Sequence, residues 1–346
     1  MDAPANSTAA LLNDPHWFPD GFDAATASLS FVRTTSADLA AQAFLDWRWK
    51  REGMERARVS VSSASALLAK RDNAPAPRFI WHTGFCCSTL LAKTLNADGR
   101  SLSLCEPQLM VDVADAKRTA ALTRFPALGT LPRIALHLLT RRFEPGMVIV
   151  LKPAPAANHL LPEMALLPQA RHLFLFSSCE SFVMSVAKLG EQGKRYARDM
   201  LSVLARNGAQ WGSLHADTLS ELKLAALLWH AQIAEFHANW SLMGNRAQSL
   251  DCEILLANPE ETLARLDEFF ELRLGAGHVE SVVRGATFSR NAKRPEEAFN
   301  AEHRRSEHDA MRRKLDSALD DAIAWARETG PAAPPLQNPL MEKVLA

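Results

Sequence analysis

The chain has 346 residues, with 39 basic and 39 acidic side chains, so its formal net charge is zero; 47% of it is hydrophobic. That length suits one α/β domain with extensions, and the apolar share is enough for a large core. A neutral chain has no global field drawing it to nucleic acid or to an anionic membrane, so neither is expected as a partner.

The opening "MDAPANSTAALLNDPHW" has no basic n-region and no long apolar run, so no signal peptide is expected. No window reaches the apolar length of a membrane helix, and no membrane span is expected. Residues 36–70 read as one or two helices, "SADLAAQAFLDWRWKREGMERA" and then "SASALLAK", followed by the proline-bearing linker "RDNAPAP" at 71–77. Short apolar runs then alternate with helical patterns. "RFIWHT" (78–83), "SLSL" (101–104), "MVIVLK" (147–152) and "RHLFLFS" (171–177) are strand candidates, with "AQSLDC" (247–252) a weaker fifth. After Thr218, apolar residues recur every three or four positions from Leu222 to Trp240, and Thr218 with Glu221 has capping-box spacing. Asn258-Pro259-Glu260-Glu261 is a helix start: a cap, a proline at the first position and two acids in the first turn. That helix is expected to end near Leu272, with Gly275 just beyond. The tail "GPAAPPLQNP", 330–339, reads as an extended arm. Short continuous apolar strands alternating with helices imply a parallel sheet covered on both faces.

There are five cysteines, at 86, 87, 105, 179 and 252. An odd, scattered set does not make a disulfide framework, and no spacing suggests a zinc site. A reduced, cytoplasmic setting is the simplest reading, with no metal.

The stretch "FIWHTGFCCSTLLAKTL", 79–95, is a strand, a tight turn and a helix. Ligands of open parallel sheets sit beyond the carboxyl ends of the strands. Main-chain N–H groups of such a loop, with Ser88 and Thr89 hydroxyls, have the chemistry of a phosphate cradle. An ordinary strand-to-helix turn with capping hydroxyls is the alternative. The G-x-x-x-x-G-K-S/T loop of kinase type is excluded, because Cys87 stands in the lysine's place and the second glycine is absent.

Gly84-Phe85-Cys86-Cys87-Ser88-Thr89-Leu90-Leu91 resembles the phosphosulfate loop of the sulfotransferase family, "G-R-S-G-S/T-T-L-L". Cys105-Glu106-Pro107, after the second strand, is similar to the place where bacterial and tyrosyl-protein members carry a glutamate base. "LLPQARHLFLFSSCESFVMSVAK", 166–188, looks like the segment whose serine, here Ser185, binds the donor's 3′-phosphate. "LDCEILLANPEETLARLDEFFEL", 250–272, and the helix "LAALLWHAQIAEF" resemble later signatures, so the likeness runs in order over 78–295. It implies a three-layer α/β fold of P-loop type with a central, mostly parallel sheet. It also implies 3′-phosphoadenosine 5′-phosphosulfate as donor, a hydroxyl or amine acceptor, and no metal. Residues 1–77 then form an N-terminal helical extension and linker, 78–295 the sulfotransferase-like domain, and 296–346 a C-terminal helix and proline-rich tail.

The departures from the family pattern fall at charged positions. The loop's basic residue is Phe85, its inner glycine is Cys87, and the arginine of the 3′-phosphate segment falls on Ser177. A cysteine at the inner-glycine position implies an altered backbone if φ > 0 is needed there. Replacement cations come from "RGATFSRNAKR", 284–294, where Arg290 and Lys293 are the candidates; Lys188, Lys194, Arg195 and Arg198 are others. A solvated basic loop is the alternative for 284–294.

The resemblance implies that residues 84–89 (Gly84, Phe85, Cys86, Cys87, Ser88 and Thr89) cradle the 5′-phosphosulfate, with Ser177, Ser185, Arg290 and Lys293 completing the donor site. Glu106 is the candidate base, its proton affinity expected to rise among apolar neighbours, against a helix-start acid as alternative. Lys152 is the candidate cation for the leaving phosphate, against a strand-end lysine reaching for solvent. His82 is a proton carrier or a residue holding the loop by a backbone hydrogen bond. Trp81 is core, and Cys86 and Cys87 are reactive thiols or small loop fillers. Two other functions fit parts of the pattern: a non-catalytic nucleotide- or partner-binding protein of the same fold, and an ATP- and Mg²⁺-dependent phosphotransferase. The acceptor and the oligomeric state have no readable signature.

Overall fold

The computed structural model describes residues 5–68, 76–119, 129–208, 218–298 and 301–341. The strands are β1 Trp17–Asp23, β2 Ser28–Arg33, β3 Arg56–Ser60, β4 Arg78–His82, β5 Ser101–Cys105, β6 Val148–Lys152, β7 Arg171–Phe176, β8 Ala247–Asp251, β9 Arg290–Asn291 and β10 Arg294–Ala298. All five strands expected from the apolar runs are present. They make one sheet of order β5-β6-β4-β7-β8, in which β4–β6, β5–β6 and β7–β8 pair in parallel. Every residue of β4 and β5 is buried. Phe79-Ile80-Trp81 supplies the apolar run that a strand with no solvent face calls for, while β5 buries Ser101 and Ser103 as well, Ser101 Oγ donating to Leu95 O. The expected α/β class with a mostly parallel central sheet is observed.

Internal contacts divide the chain into two compact units. The first comprises Met1–Ile80, Leu91–Arg171 and Asp267–His278; the second comprises Trp81–Leu90, His172–Leu266 and Val279–Ala346. Residues up to Ile80 fall within the first unit. In the first unit, β1, β2 and β3 form an antiparallel meander, in which Phe18, Leu29, Phe31 and Val32 are buried. The expected helix over 36–57 stops at Ala41. A full capping box of Thr35 and Asp38 starts it, and Gln42 ends it in extended backbone. Beyond that point Asp46 accepts from the backbone and side chain of Arg48, and Leu45 N–H donates to Cys105 O. Local side-chain bonds of this kind compete with the helix ladder. The chain then enters β3, and only Val61–Leu68 is helical again.

In the second unit the helix Glu221–Trp240 packs against the helices Cys179–Ala187 and Glu191–Arg206 and against Ala301–Thr329, which is helical on both sides of a kink at Asp316. It is buried along most of its length, and Phe236 and Trp240 lie against Phe174 of β7 at ring-centroid distances of 4.9 and 5.1 Å. Its cap is Ser220, accepting from Lys223 N–H, two residues later than the capping-box spacing indicated. The helix Pro259–Phe270 begins after Asn258 as expected and ends two residues before Leu272. The proline-rich tail is extended, and Leu340 and Asn338 exchange backbone hydrogen bonds with Ser249 of β8. Among the described residues no helix is long and apolar enough to cross a membrane.

His172 of β7 is completely buried. Its Nδ1 accepts from Trp81 Nε1 at 3.1 Å, and burial pushes its imidazole pKa down to about 3. The unfolded chain binds this proton near the ordinary value and the folded chain does not. Stability is therefore unaffected above about pH 6.5 and falls as pH drops below it. His172→Gln, which keeps an acceptor for Trp81, is expected to flatten the fall. Chemical unfolding between pH 7 and pH 4.5 measures this, with a difference in slope of up to about 1.4 kcal/mol per pH unit.

Candidate functional site

The loop after β4 is built from unusual backbone. Gly84, Phe85 and Cys87 have φ of 84°, 54° and 57°. The glycine is required twice over, by its left-handed backbone and by its surroundings, since a Cβ there would lie 2.9 Å from Tyr196 Oη. Phe85 and Cys87 adopt the same region at a steric cost. The cysteine at the family's inner-glycine position thus does not abolish the positive φ, contrary to expectation. Alternation of this kind turns successive N–H groups to one side as an anion-binding nest.

The fates of those N–H groups differ. Gly84 N–H donates to His82 Nδ1 at 3.2 Å, and Thr83 N–H donates to Leu175 O. His82 therefore holds the loop. Its Nδ1 also meets Ser88 Oγ at 3.3 Å, so Ser88 serves the loop as well. Among the described residues, no acceptor takes the N–H groups of Phe85, Cys87, Ser88 or Thr89. Thr89 Oγ1 is buried and has no partner among them either. Cys86 is fully buried, its thiol on Leu175 O at 3.5 Å, which fits a loop filler.

Phe85, Cys87 and Thr89 line a cavity of about 390 Å³. Ser185 and Lys188 reach it from the end of the helix Cys179–Ala187, and Arg290 and Lys293 from the β9–β10 hairpin. Six of the ten expected donor-site residues therefore share one cavity. Gly84, Cys86, Ser88 and Ser177 do not line it. Ser177 is fully buried, its carbonyl accepting from Trp229 Nε1 at 2.8 Å. The Ser185 hydroxyl donates to Ser181 O at 2.8 Å, so binding an anion requires it to swing out of that bond.

Cations stand beside Phe85 and Cys87 of the loop. Lys293 Nζ lies 5.8 Å from the centre of the Phe85 ring, and that ring is braced edge-on by Phe182 and Tyr196. Arg304, which the sequence analysis missed, lines the same cavity. Its Nη1 is 3.0 Å from Cys87 Sγ and its Nη2 is 2.6 Å from Glu253 Oε1. Burial opposes its charge, but Cys87, Cys252 and Glu253 outweigh that and hold its pKa above the ordinary value. In sequence it is one of an arginine pair in a long charged helix, with no pattern that separates it from its neighbours.

The two expected catalytic residues meet in the first unit. Lys152, at the end of β6, is completely buried, and its Nζ donates to Glu106 Oε1 at 2.6 Å. It does not reach for solvent. Glu106 Oε2 accepts from Arg48 Nη2 at 2.7 Å, and Arg48 also binds Asp46. The Phe44 ring lies 3.3 Å from the Arg48 guanidinium carbon. Burial lowers the Arg48 pKa, but Asp46 and Glu106 more than reverse it. The apolar surroundings expected for Glu106 are thus replaced by two cations. Glu106 itself sits at φ 54°, its N–H bonded to Lys152 O at 2.6 Å, so the turn after β5 is strained where the carboxylate is presented.

No protein-family model matches this chain, and no curated protein sequence is similar to it. Among solved structures it is similar to the sulfotransferase domain of a Synechococcus olefin synthase, at 15% identity and a TM-score of 0.46. That match covers 75% of this chain and 96% of the other. It is also similar to the sulfotransferase domain from the curacin biosynthetic pathway, at 13% identity and a TM-score of 0.41, over 78% and 94%. A sulfotransferase from Mycobacterium avium matches at 12% identity and a TM-score of 0.39, over 74% and 83%.

The Glu106 cluster makes an asymmetric prediction. Removing Glu106 strands the Lys152 ammonium in the interior, whereas removing Lys152 leaves Glu106 still held by Arg48. Breaking a buried pair from one side costs about 3–5 kcal/mol. Glu106→Ala is expected to approach that cost in denaturant unfolding, and Lys152→Met to fall clearly below it. Equal costs would contradict the assignment.

Proposed function

We propose that the chain binds 3′-phosphoadenosine 5′-phosphosulfate and transfers its sulfuryl group to a hydroxyl or amine. One observation carries the reading. The N–H groups of Phe85, Cys87, Ser88 and Thr89 have no acceptor among the described residues, and the cavity that Phe85, Cys87 and Thr89 line is also lined by Lys188, Arg290, Lys293 and Arg304. Four cations line the cavity, Lys188 paired with Glu307 and Arg304 with Glu253, and such a set suits a ligand with several negative charges. The buried, unpartnered Thr89 hydroxyl adds a donor that a phosphate or sulfate oxygen would satisfy.

In this reading the loop holds the 5′-phosphosulfate, and Arg290, Lys293 and Ser185 hold the 3′-phosphate. Glu106 takes the proton of the acceptor as its oxygen or nitrogen bonds to sulfur. The sulfur–oxygen bond to the 5′-phosphate breaks, and 3′,5′-bisphosphoadenosine leaves with charge that Lys152 offsets. Positioning and charge carry such a transfer, as they do phosphoryl transfer. Cys87 in place of a loop lysine argues against the ATP-dependent alternative. The two ion pairs on Glu106 favour a second reading, a nucleotide-binding protein without turnover.

Calorimetry with 3′,5′-bisphosphoadenosine tests the donor site. Binding in the micromolar range is expected, with Arg290→Ala and Lys293→Ala each weakening it about tenfold, the loss of one charge-assisted contact. No heat at millimolar nucleotide would sink the donor reading. Transfer of label from radiolabelled phosphosulfate to a cell extract tests catalysis, and folded Glu106→Gln is expected to abolish it. Tight binding without transfer in the wild type would establish the second reading.

A further inference from the structure

Two of the five cysteines touch one guanidinium, that of Arg304, beside the cavity. Cys87 lines it, half-buried, at the end of the loop. Cys252 opens the helix Cys252–Ala257 and is fully buried. The Cys252 thiol donates to Glu253 Oε1 at 3.7 Å. Arg304 touches both, with Nη1 3.0 Å from Cys87 Sγ and Nη2 3.8 Å from Cys252 Sγ. Its guanidinium is fixed from the other side by Glu253. The Cys87 neighbour in sequence, Cys86, turns away and bonds Leu175 O.

The pair is chemically unequal. The Cys252 hydrogen bond and the Arg304 charge, against burial, hold the Cys87 thiol down at about 7, while Cys252 is pushed up. Cys87 thus carries the more acidic thiol and Cys252 the less acidic one, both beside the same Arg304 guanidinium. Thiolates in electropositive, accessible positions are the ones that oxidise. None of this is needed to bind a nucleotide, for which backbone N–H groups and cations suffice.

We propose that Cys87 is a modification site for hydroperoxides, with Cys252 as its resolving thiol. The Cys87 thiolate attacks one peroxide oxygen; a sulfur–oxygen bond forms, the oxygen–oxygen bond breaks, and the departing alkoxide or hydroxide takes up a proton. Cys87 is oxidised by two electrons to the sulfenic acid. The Cys252 sulfur then attacks Cys87 sulfur, the disulfide forms, and the hydroxyl leaves as water with the Cys252 proton. In sum, two thiols and one hydroperoxide give one disulfide, one alcohol or water, and one further water. The product replaces a thiolate beside Arg304 with a neutral link and ties the loop to the helix Cys252–Ala257.

The test uses the full chain at pH 7 with one equivalent of hydrogen peroxide, then alkylation and peptide mapping. A Cys87–Cys252 linked peptide is expected, with Cys105 and Cys179 recovered as thiols. In Cys252→Ala, Cys87 is expected to accumulate as a sulfenic acid captured by dimedone. The wild type alone gives an independent readout. Its iodoacetamide labelling at Cys87 is expected to rise with a midpoint near pH 7, well below the ordinary thiol value of about 8.5. A midpoint at the ordinary value, or a link from Cys87 to any other cysteine, would overturn the proposal. It does not depend on the donor reading, since neither measurement contains a nucleotide.

Discussion

Main-chain N–H groups without acceptors are costly to bury, and a folded chain rarely leaves several together. The loop between β4 and the helix Ser88–Thr94 leaves those of Phe85, Cys87, Ser88 and Thr89 without an acceptor among the described residues, and holds Phe85 and Cys87 at positive φ besides. Both costs are spread over the structure that fixes the loop. His82 takes the Gly84 N–H, Leu175 takes Thr83 N–H and the Cys86 thiol, and Phe182 and Tyr196 brace the Phe85 ring. Strain retained in this way points to a ligand that repays it on binding.

Charge follows from that geometry. The sequence lacks a lysine in the loop and an arginine after β7, yet the cavity is cationic. Lys293 reaches the Phe85 ring from the β9–β10 hairpin, and Arg304 reaches Cys87 from the helix Ala301–Thr329. Delivering cations from distant segments leaves the loop free to carry a thiol. In the other unit the strained turn at Glu106 places its carboxylate between Lys152 and Arg48, a cluster in which each charge depends on the others.

Much of the architecture was legible because buried parallel strands leave a plain trace. Five runs from "RFIWHT" to "AQSLDC" match five strands, and Asn258-Pro259 marks a helix start. The loop, Ser185, Arg290 and Lys293 were legible through ordered motifs and a run of basic residues, and they share one cavity. The meander over 17–60 was not. Its alternating "SLSFVR" was passed over, and "FLDWRWK" mimics helical spacing while its backbone is claimed by Asp46 and Cys105. Arg48 and Arg304 were missed for a common reason: each is paired with residues far away in sequence, and pairing over such a distance leaves no spacing to read.

The central claim is that the loop's unsatisfied main-chain N–H groups grip an anion. Amide chemical shifts of the ¹⁵N-labelled chain, followed while 3′,5′-bisphosphoadenosine is added, test it at the atoms concerned. The account predicts saturable downfield shifts of the Phe85, Cys87, Ser88 and Thr89 amide protons, with Gly84, already bonded to His82, moving least. Shifts confined to the β9–β10 hairpin, with those four amides unmoved at saturation, would contradict it.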